Sequence, residues 1–133
     1  MKKILATALL TIMIAVSAYA AIPRSTNYDK IDWQRAEKNY LAALSSDNVG
    51  LRQSAALFLA EYRLTGAVKP LVEVLKNDKV EQLRMAAAVA LVQLGDNDGI
   101  EAVKEAAIYD GSEKVAKFCE QLINATSQEL SLK

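Results

Sequence analysis

The sequence predicts an all-α fold, an alpha-alpha superhelix (a solenoid) of about three helical hairpins. Three observations predict it. Apolar residues recur at three- and four-residue spacing after the N-terminal region, and no segment alternates with period two over any length. A block repeats: Leu44-Ser45-Ser46-Asp47-Asn48-Val49, followed by Arg52-Gln53-Ser54-Ala55-Ala56-Leu57-Phe58-Leu59, returns as Leu75-Lys76-Asn77-Asp78-Lys79-Val80, followed by Arg84-Met85-Ala86-Ala87-Ala88-Val89-Ala90-Leu91. Asp47 maps to Asp78 and Arg52 to Arg84, a period of 31 to 32 residues, and a fainter third copy runs from Val103 through Asp110 and Val115 to Cys119 and Ile123. Finally, the apolar stretches are separated by short polar turns rich in Ser, Asp, Asn and Gly. A unit of this length cannot bury its apolar face alone and stacks on its neighbours.

Residues 1–20 are set apart from the fold. Lys2 and Lys3 form a basic start, Ile4 to Val16 is apolar apart from Thr7 and Thr11, and Ala18-Tyr19-Ala20 supplies small residues for a signal peptidase. This is the three-part pattern of a cleaved secretory signal. The rival is an uncleaved anchor, because the 17 residues from Ile4 to Ala20 approach the length of a membrane span. The small-residue site and the polar Pro23-Arg24-Ser25-Thr26-Asn27 turn favour cleavage, which places the protein in the periplasm or outside the cell. Without Lys2 and Lys3 the chain holds 14 basic and 16 acidic residues, a net charge of −2. That balance argues against nucleic acid, which calls for a basic stripe, and against an anionic membrane surface after cleavage.

Residues 21–28 read as an extended leader, since Pro23 biases Ile22 away from helix. The repeat domain occupies 29–127. A first helix starts near Asp29 as cap and carries Ile31, Trp33, Ala36, Tyr40, Leu41 and Leu44 on one face. Asp47 or Asn48 caps the second helix, Val49 to Leu64, and Gly66 suits the left-handed conformation past its end. The third helix begins near Val68 with Pro70 in its first turn, where a missing N–H costs nothing. It ends at Lys76-Asn77. Asp78 caps the fourth, Val80 to Leu94, and Gly95 to Gly99 is the next break. A fifth helix spans Ile100 to Tyr109, and Ser112 caps a sixth from Glu113 to about Ala125. Thr126 onward reads as fraying, with 128–133 a flexible tail.

Each unit thus has a Leu-x-x-x-Leu type first helix, then Asp-x-Val, Arg and Ala-x-x-x-Leu in the second. The chain resembles the HEAT-repeat superfamily in its short bacterial form, the HEAT-like repeats related to those of phycobilisome lyases. The resemblance covers roughly Tyr28 to Ala125. It is best at Gly66-Ala67-Val68-Lys69-Pro70-Leu71-Val72-Glu73-Val74-Leu75 followed by Asp78, Val80, Arg84, Ala87, Ala90, Leu91 and Gly95. The first copy departs at Ala60 and Arg63, and the third carries Ala116 at the Arg position with Lys117 beside it. Degenerate end copies suit capping units, one face of which meets water. The resemblance implies that the Asp and Arg form a ladder, the Arg spanning to an adjacent unit through its rigid fork of donors.

Residues suited to chemistry are scarce. Histidine is absent, which removes Ser-His and Cys-His nucleophile pairs and the usual zinc sets. Cys119, the one cysteine, aligns with Ala87 and reads as a buried small hydrophobe. Asp96, Asp98 and Glu105 approach a calcium-loop spacing, but the first ligand position falls on Leu94, which lacks an oxygen. No metal or cofactor is expected. Trp33 and Tyr40, seven apart, share a face and close the N-terminal end of the core.

The expected binding surface lies on the second helices. If Ala55, Phe58, Leu59 and Tyr62 face inward, then Gln53, Leu57 and Glu61 face outward, as do Met85, Val89 and Gln93, and then Lys117, Gln121 and Ala125. Leu57, Met85 and Val89 form an apolar strip rimmed by Gln and Glu, the composition of an interaction surface. The function expected is that of a non-catalytic adaptor binding a protein partner. Two alternatives stand beside it: the lyase-related branch of the family, which assists attachment of a chromophore to protein, and weak self-association through exposed solenoid ends.

Overall fold

The computed structural model describes residues 30–131. The expectations for the signal peptide, the leader and the Asp29 cap lie outside those residues. Six helices follow in order: α1 (Trp33–Ala43), α2 (Val49–Glu61), α3 (Val68–Asn77), α4 (Glu81–Leu94), α5 (Asn97–Tyr109) and α6 (Glu113–Ser131). A 3₁₀ turn, Thr65–Ala67, leads into α3, and no strand occurs among the described residues. All six helices fall within one packing unit, Asp32–Lys133. They pair as hairpins α1/α2, α3/α4 and α5/α6. The second helices α2, α4 and α6 pack in succession, and α3 packs on α5. The all-α, three-hairpin expectation holds.

Local chemistry sets the helix ends, and several differ from the sequence reading. α1 starts at Trp33 because Asp32 caps it, its Oδ1 accepting the Arg35 N–H at 3.0 Å, so Ile31 precedes the helix. Asn48 rather than Asp47 caps α2, accepting the Leu51 N–H at 3.0 Å. α2 stops at Glu61, short of Leu64. There Arg63 takes a left-handed φ of 53° while its N–H reaches Ala60 O at 3.0 Å and the Leu64 N–H reaches Leu59 O at 2.9 Å. Those two bonds are the Schellman pairing that ends a helix. Gly66 therefore lies in the 3₁₀ turn, and the glycine in the left-handed region is Gly95, at φ 72°, after α4.

Asp78 does not cap α4 directly. Its Oδ1 accepts the Val80 N–H at 2.9 Å, an Asx turn that delivers the chain to the helix start at Glu81. α5 begins three residues earlier than expected, since the Asp96 carboxylate accepts the N–H groups of Asp98 and Gly99 at 3.0 and 3.3 Å. The Asp96–Gly99 segment is thus the cap and first turn of a helix. α6 runs on to Ser131 through Thr126 and Ser127, whose hydroxyls donate to Leu122 O and Ile123 O, both at 2.9 Å. Bonding back one turn lets these two residues continue a helix that their propensity would end.

The core repeats with the sequence. Leu59, Leu71, Leu75, Leu91, Val103, Val115 and Cys119 are fully buried among Ala55, Ala56, Ala60, Ala87, Ala88 and Ala90. Small alanines on the second helices let these stack closely; Leu59, Leu71, Leu75 and Leu91 fill the layers of the first two hairpins, and Ala102, Val103, Val115 and Cys119 that of the third. Gly99 is buried where α5 crosses α4, and a Cβ there would stand 3.0 Å from Leu91 Cδ2. At the N-terminal end, Tyr40 stacks on Phe58 with ring centroids 3.7 Å apart. Tyr62 joins them, 4.3 Å from Phe58 and 5.0 Å from Trp33. Tyr40 packs against the core as a half-buried residue, the closing role its spacing from Trp33 suggested.

An Arg–Asp ladder ties the hairpins together. Arg52 of the first reaches Asp78 of the second at 3.6 Å. Arg84 of the second holds Asp110 of the third through two bonds of 2.9 Å, and its Nη1 donates to Asp78 O at 2.8 Å. Ala116 then ends the ladder. At the other end Asp47 is exposed. Leu51, 45% exposed, occupies the same repeat position as the buried Leu83 and Val115.

Candidate protein-binding surface

Three second helices side by side bring the expected residues onto neighbouring elements. Gln53, Leu57 and Glu61 stand at four-residue steps along α2, Met85, Val89 and Gln93 along α4, and Gln121 on α6. Gln53, Glu61, Gln93 and Gln121 are exposed, and Leu57 is 38% exposed. Val89 is half-buried. Met85 is also half-buried but packs against the core. The apolar part of the strip is therefore narrower than expected: Leu57 and Val89, with Met85 contributing one edge. Adjacent helices pack with axes about 8–10 Å apart, so two residues one repeat apart lie within reach of one partner segment.

These positions combine three glutamines and one glutamate with three apolar side chains, without a reactive group. Cys119 is fully buried, and that burial pushes its thiol up to about 11, with the Asp110 charge adding to the rise and Arg84 opposing it. A thiol held this high is overwhelmingly protonated near neutral pH and makes a poor nucleophile. Among the described residues no group of three or more Cys, Asp or Glu side chains converges to hold a metal ion. Asp96, the centre of the calcium-like spacing, spends its carboxylate on its own helix start.

Sequence reasoning missed a second surface. An open groove of about 610 Å³ separates α3 from α5, lined by Val68, Pro70, Val72, Asp98, Glu101 and Ala102 among others. It adjoins a depression of about 210 Å³ that reaches Tyr109. Ile108 and Tyr109, 70% and 79% exposed, are the most exposed large hydrophobics of the described residues. The signal was present as Asp98, Glu101, Ala102 and Glu105, spaced to share one helix face. The pattern is masked in the sequence because Asp98 falls within the turn-like Gly95-Asp96-Asn97-Asp98-Gly99 stretch.

Stacked helical hairpins joined by a repeating ion-pair ladder define an α-solenoid. The model of the family described as HEAT repeats matches residues 37–124, about two thirds of the chain, and the chain belongs to that family. No curated protein matched the chain, and no solved structure did. HEAT repeats generally mediate protein–protein interaction.

Proposed function

We infer that this chain is an exported, non-catalytic adaptor that binds a protein partner through the face formed by its second helices. The observation that carries the reading is the alignment of Leu57 and Val89, 32 residues apart on two helices that pack together, with polar residues around them. Membership of the HEAT-repeat family supports protein binding, and the Lys2-Lys3, Ile4–Val16 and Ala18-Tyr19-Ala20 pattern supports export. The absence of histidine and the deeply buried, protonated Cys119 leave the surface without the usual nucleophile and base pairs, so binding is favoured over the chromophore-lyase reading. Self-stacking is disfavoured at the ladder: Asp47 awaits an arginine, and the third hairpin offers Ala116 at that place.

The test pairs affinity capture from envelope extract with the double variant Leu57→Glu/Val89→Glu. Neither side chain is fully buried, so helical content and melting should be nearly unchanged. Capture of the native chain's partner should fall sharply, because a charge in an apolar contact is desolvated without compensation. A folded double variant that still captures that partner would remove the second-helix face as the site. Intact-mass measurement of envelope protein addresses export: a chain starting at Ala21 supports it, and a full-length chain in the membrane fraction replaces secretion with anchoring.

A further inference from the structure

Beyond the second-helix face, the groove between α3 and α5 has a built character of its own. Its floor is apolar: Val68 and Ala102 are buried, and Val72 and Pro70 half-buried. Its α5 wall is uniformly acidic, with Asp98, Glu101 and Glu105 at spacings of three and four. The α3 wall is mixed, Lys69, Glu73 and Lys76. Four carboxylates thus face two ammonium groups around an apolar floor. Lys76 crosses the groove to Glu105 at 2.7 Å, and Glu101 pairs with Lys104 on its own helix at 3.3 Å. The Asp98 carboxylate has no ion-pair partner among the described residues. Beyond the Lys76–Glu105 strut the surface continues to Tyr109, an aromatic ring left 79% exposed where the smaller depression ends.

We propose that the α3/α5 groove binds an extended peptide segment in which aliphatic residues alternate with lysine or arginine. The dimensions suit such a segment. The ten residues of α3 give a wall about 15 Å long at 1.5 Å per residue. An extended chain at about 3.3 Å per residue covers that length with four to five residues. Alternate side chains then reach the Val68–Val72–Ala102 floor, and the intervening basic stems fold over to the carboxylates at the rim. Lys76 and Glu105 are both about half exposed, 47% and 51%. Exposed pairs of this kind contribute little net stability, so a basic side chain from the peptide can take the place of Lys76 on Glu105. Tyr109 supplies the large rigid contact that anchors such interfaces.

This site is separate from the Leu57–Val89 strip and stands or falls independently of it. The probes are three fluorescein-labelled pentapeptides, Lys-Leu-Lys-Leu-Lys, Glu-Leu-Glu-Leu-Glu and Lys-Ser-Lys-Ser-Lys, titrated against the full chain by anisotropy at low salt. The Lys-Leu peptide should bind saturably and at least tenfold more tightly than the other two. Amide shifts should then move at Val72, Ala102 and Tyr109. The double variant Asp98→Lys/Glu101→Lys should weaken binding at least tenfold with an unchanged circular dichroism spectrum, and Leu57→Glu/Val89→Glu should leave it intact. The proposal is overturned by no saturable binding, by equal affinity for the acidic peptide, by indifference to the charge reversal, or by shifts confined to Leu57 and Val89. The last result would point back to the second-helix face.

Discussion

Arg84 holds Asp110, 26 residues further along the chain, through a fork of two hydrogen bonds of 2.9 Å, with the two side chains only 13% and 6% exposed. The same 26-residue step joins Arg52 to Asp78, but at 3.6 Å and with Arg52 Nε buried and unpartnered. The two rungs share a sequence pattern and differ in geometry. Arg84→Met strands a buried carboxylate and should cost about 3 kcal/mol, in the range for breaking a buried pair. Arg52→Met removes a looser contact and also an orphaned donor, so it should cost about 1 kcal/mol or less. Chemical denaturation of the two variants checks this. Equal losses would mean that the bidentate geometry contributes nothing.

The same rung sets a pH dependence. Burial pushes the Asp110 carboxyl up, but the Arg84 hydrogen bond, the Ser112 N–H and the Arg84 charge together hold it below its ordinary value. A depressed carboxyl contributes stability that is present above its unfolded value of about 3.9 and is lost as pH falls through the lower folded value. In Arg84→Met the upward push of burial is left with only the Ser112 N–H against it. There the charged form is disfavoured, and the penalty is relieved as pH falls. The stability gap between native and variant proteins should therefore shrink as pH falls through the ordinary carboxylate value of about 3.9 and below it. Carboxylates remote from Arg84 keep the same surroundings in both proteins and cancel in the difference, so a gap independent of pH would contradict the account.

Much of the fold was legible because it is periodic. The Leu and Ala positions on the second helices, the hairpin count and the Arg–Asp ladder all follow from residues that recur 31 to 32 apart. Helix ends were less legible, because side chains compete for the same orphan N–H groups. Asp32 and Asp96 each capture a helix start that the apolar pattern alone places elsewhere, and Asn48 outcompetes Asp47. The C-terminal end of α2 falls on Arg63 despite a glycine three residues on, since the Leu59 and Ala60 carbonyls choose the end by their bonding. On the candidate surface, exposure at Gln53, Leu57, Glu61, Gln93 and Gln121 followed from helix phase. Met85 did not, because an unbranched thioether can bend from an outward position onto the core.

Leu91 and Gln93 test the packing of α4 two residues apart. Leu91 is fully buried and lies against Gly99 of α5, while Gln93 is exposed. Leu91→Ala empties volume that Gly99 cannot fill and should cost about 2–5 kcal/mol. Gln93→Ala should change stability by no more than about 0.5 kcal/mol. Denaturant midpoints that coincide for the two variants would show the face of α4 to be misassigned.

Cys119 should be chemically silent in the folded protein. It is completely buried, and with its thiol raised to about 11, roughly one molecule in a thousand carries the thiolate at pH 8. Modification by Ellman's reagent should therefore wait for the fold to open and become rapid in denaturant. A native rate close to the denatured one would mean that the last helices open readily at the C-terminal end of the stack.

The two turn glycines separate backbone strain from space. Gly95 sits at φ 72° with nothing within 4 Å of where a Cβ would stand, so Gly95→Ala meets open space but a disfavoured conformation. Its cost should be about 1 kcal/mol, the strain of a left-handed alanine. Gly66 is outside the left-handed region, and a Cβ there would meet the Glu37 carboxylate at 2.5 Å, the far end of a side chain able to swing aside. Gly66→Ala should accordingly change stability by less than about 0.5 kcal/mol, since a compatible backbone gains from the stiffer unfolded chain what the displaced Glu37 loses. Arg63 already carries the left-handed burden that a sequence pattern would hand to Gly66. Thermal melts of the two alanine variants decide the matter: a larger loss at Gly66 than at Gly95 would return the end of α2 to the glycine and free Arg63 from that conformation.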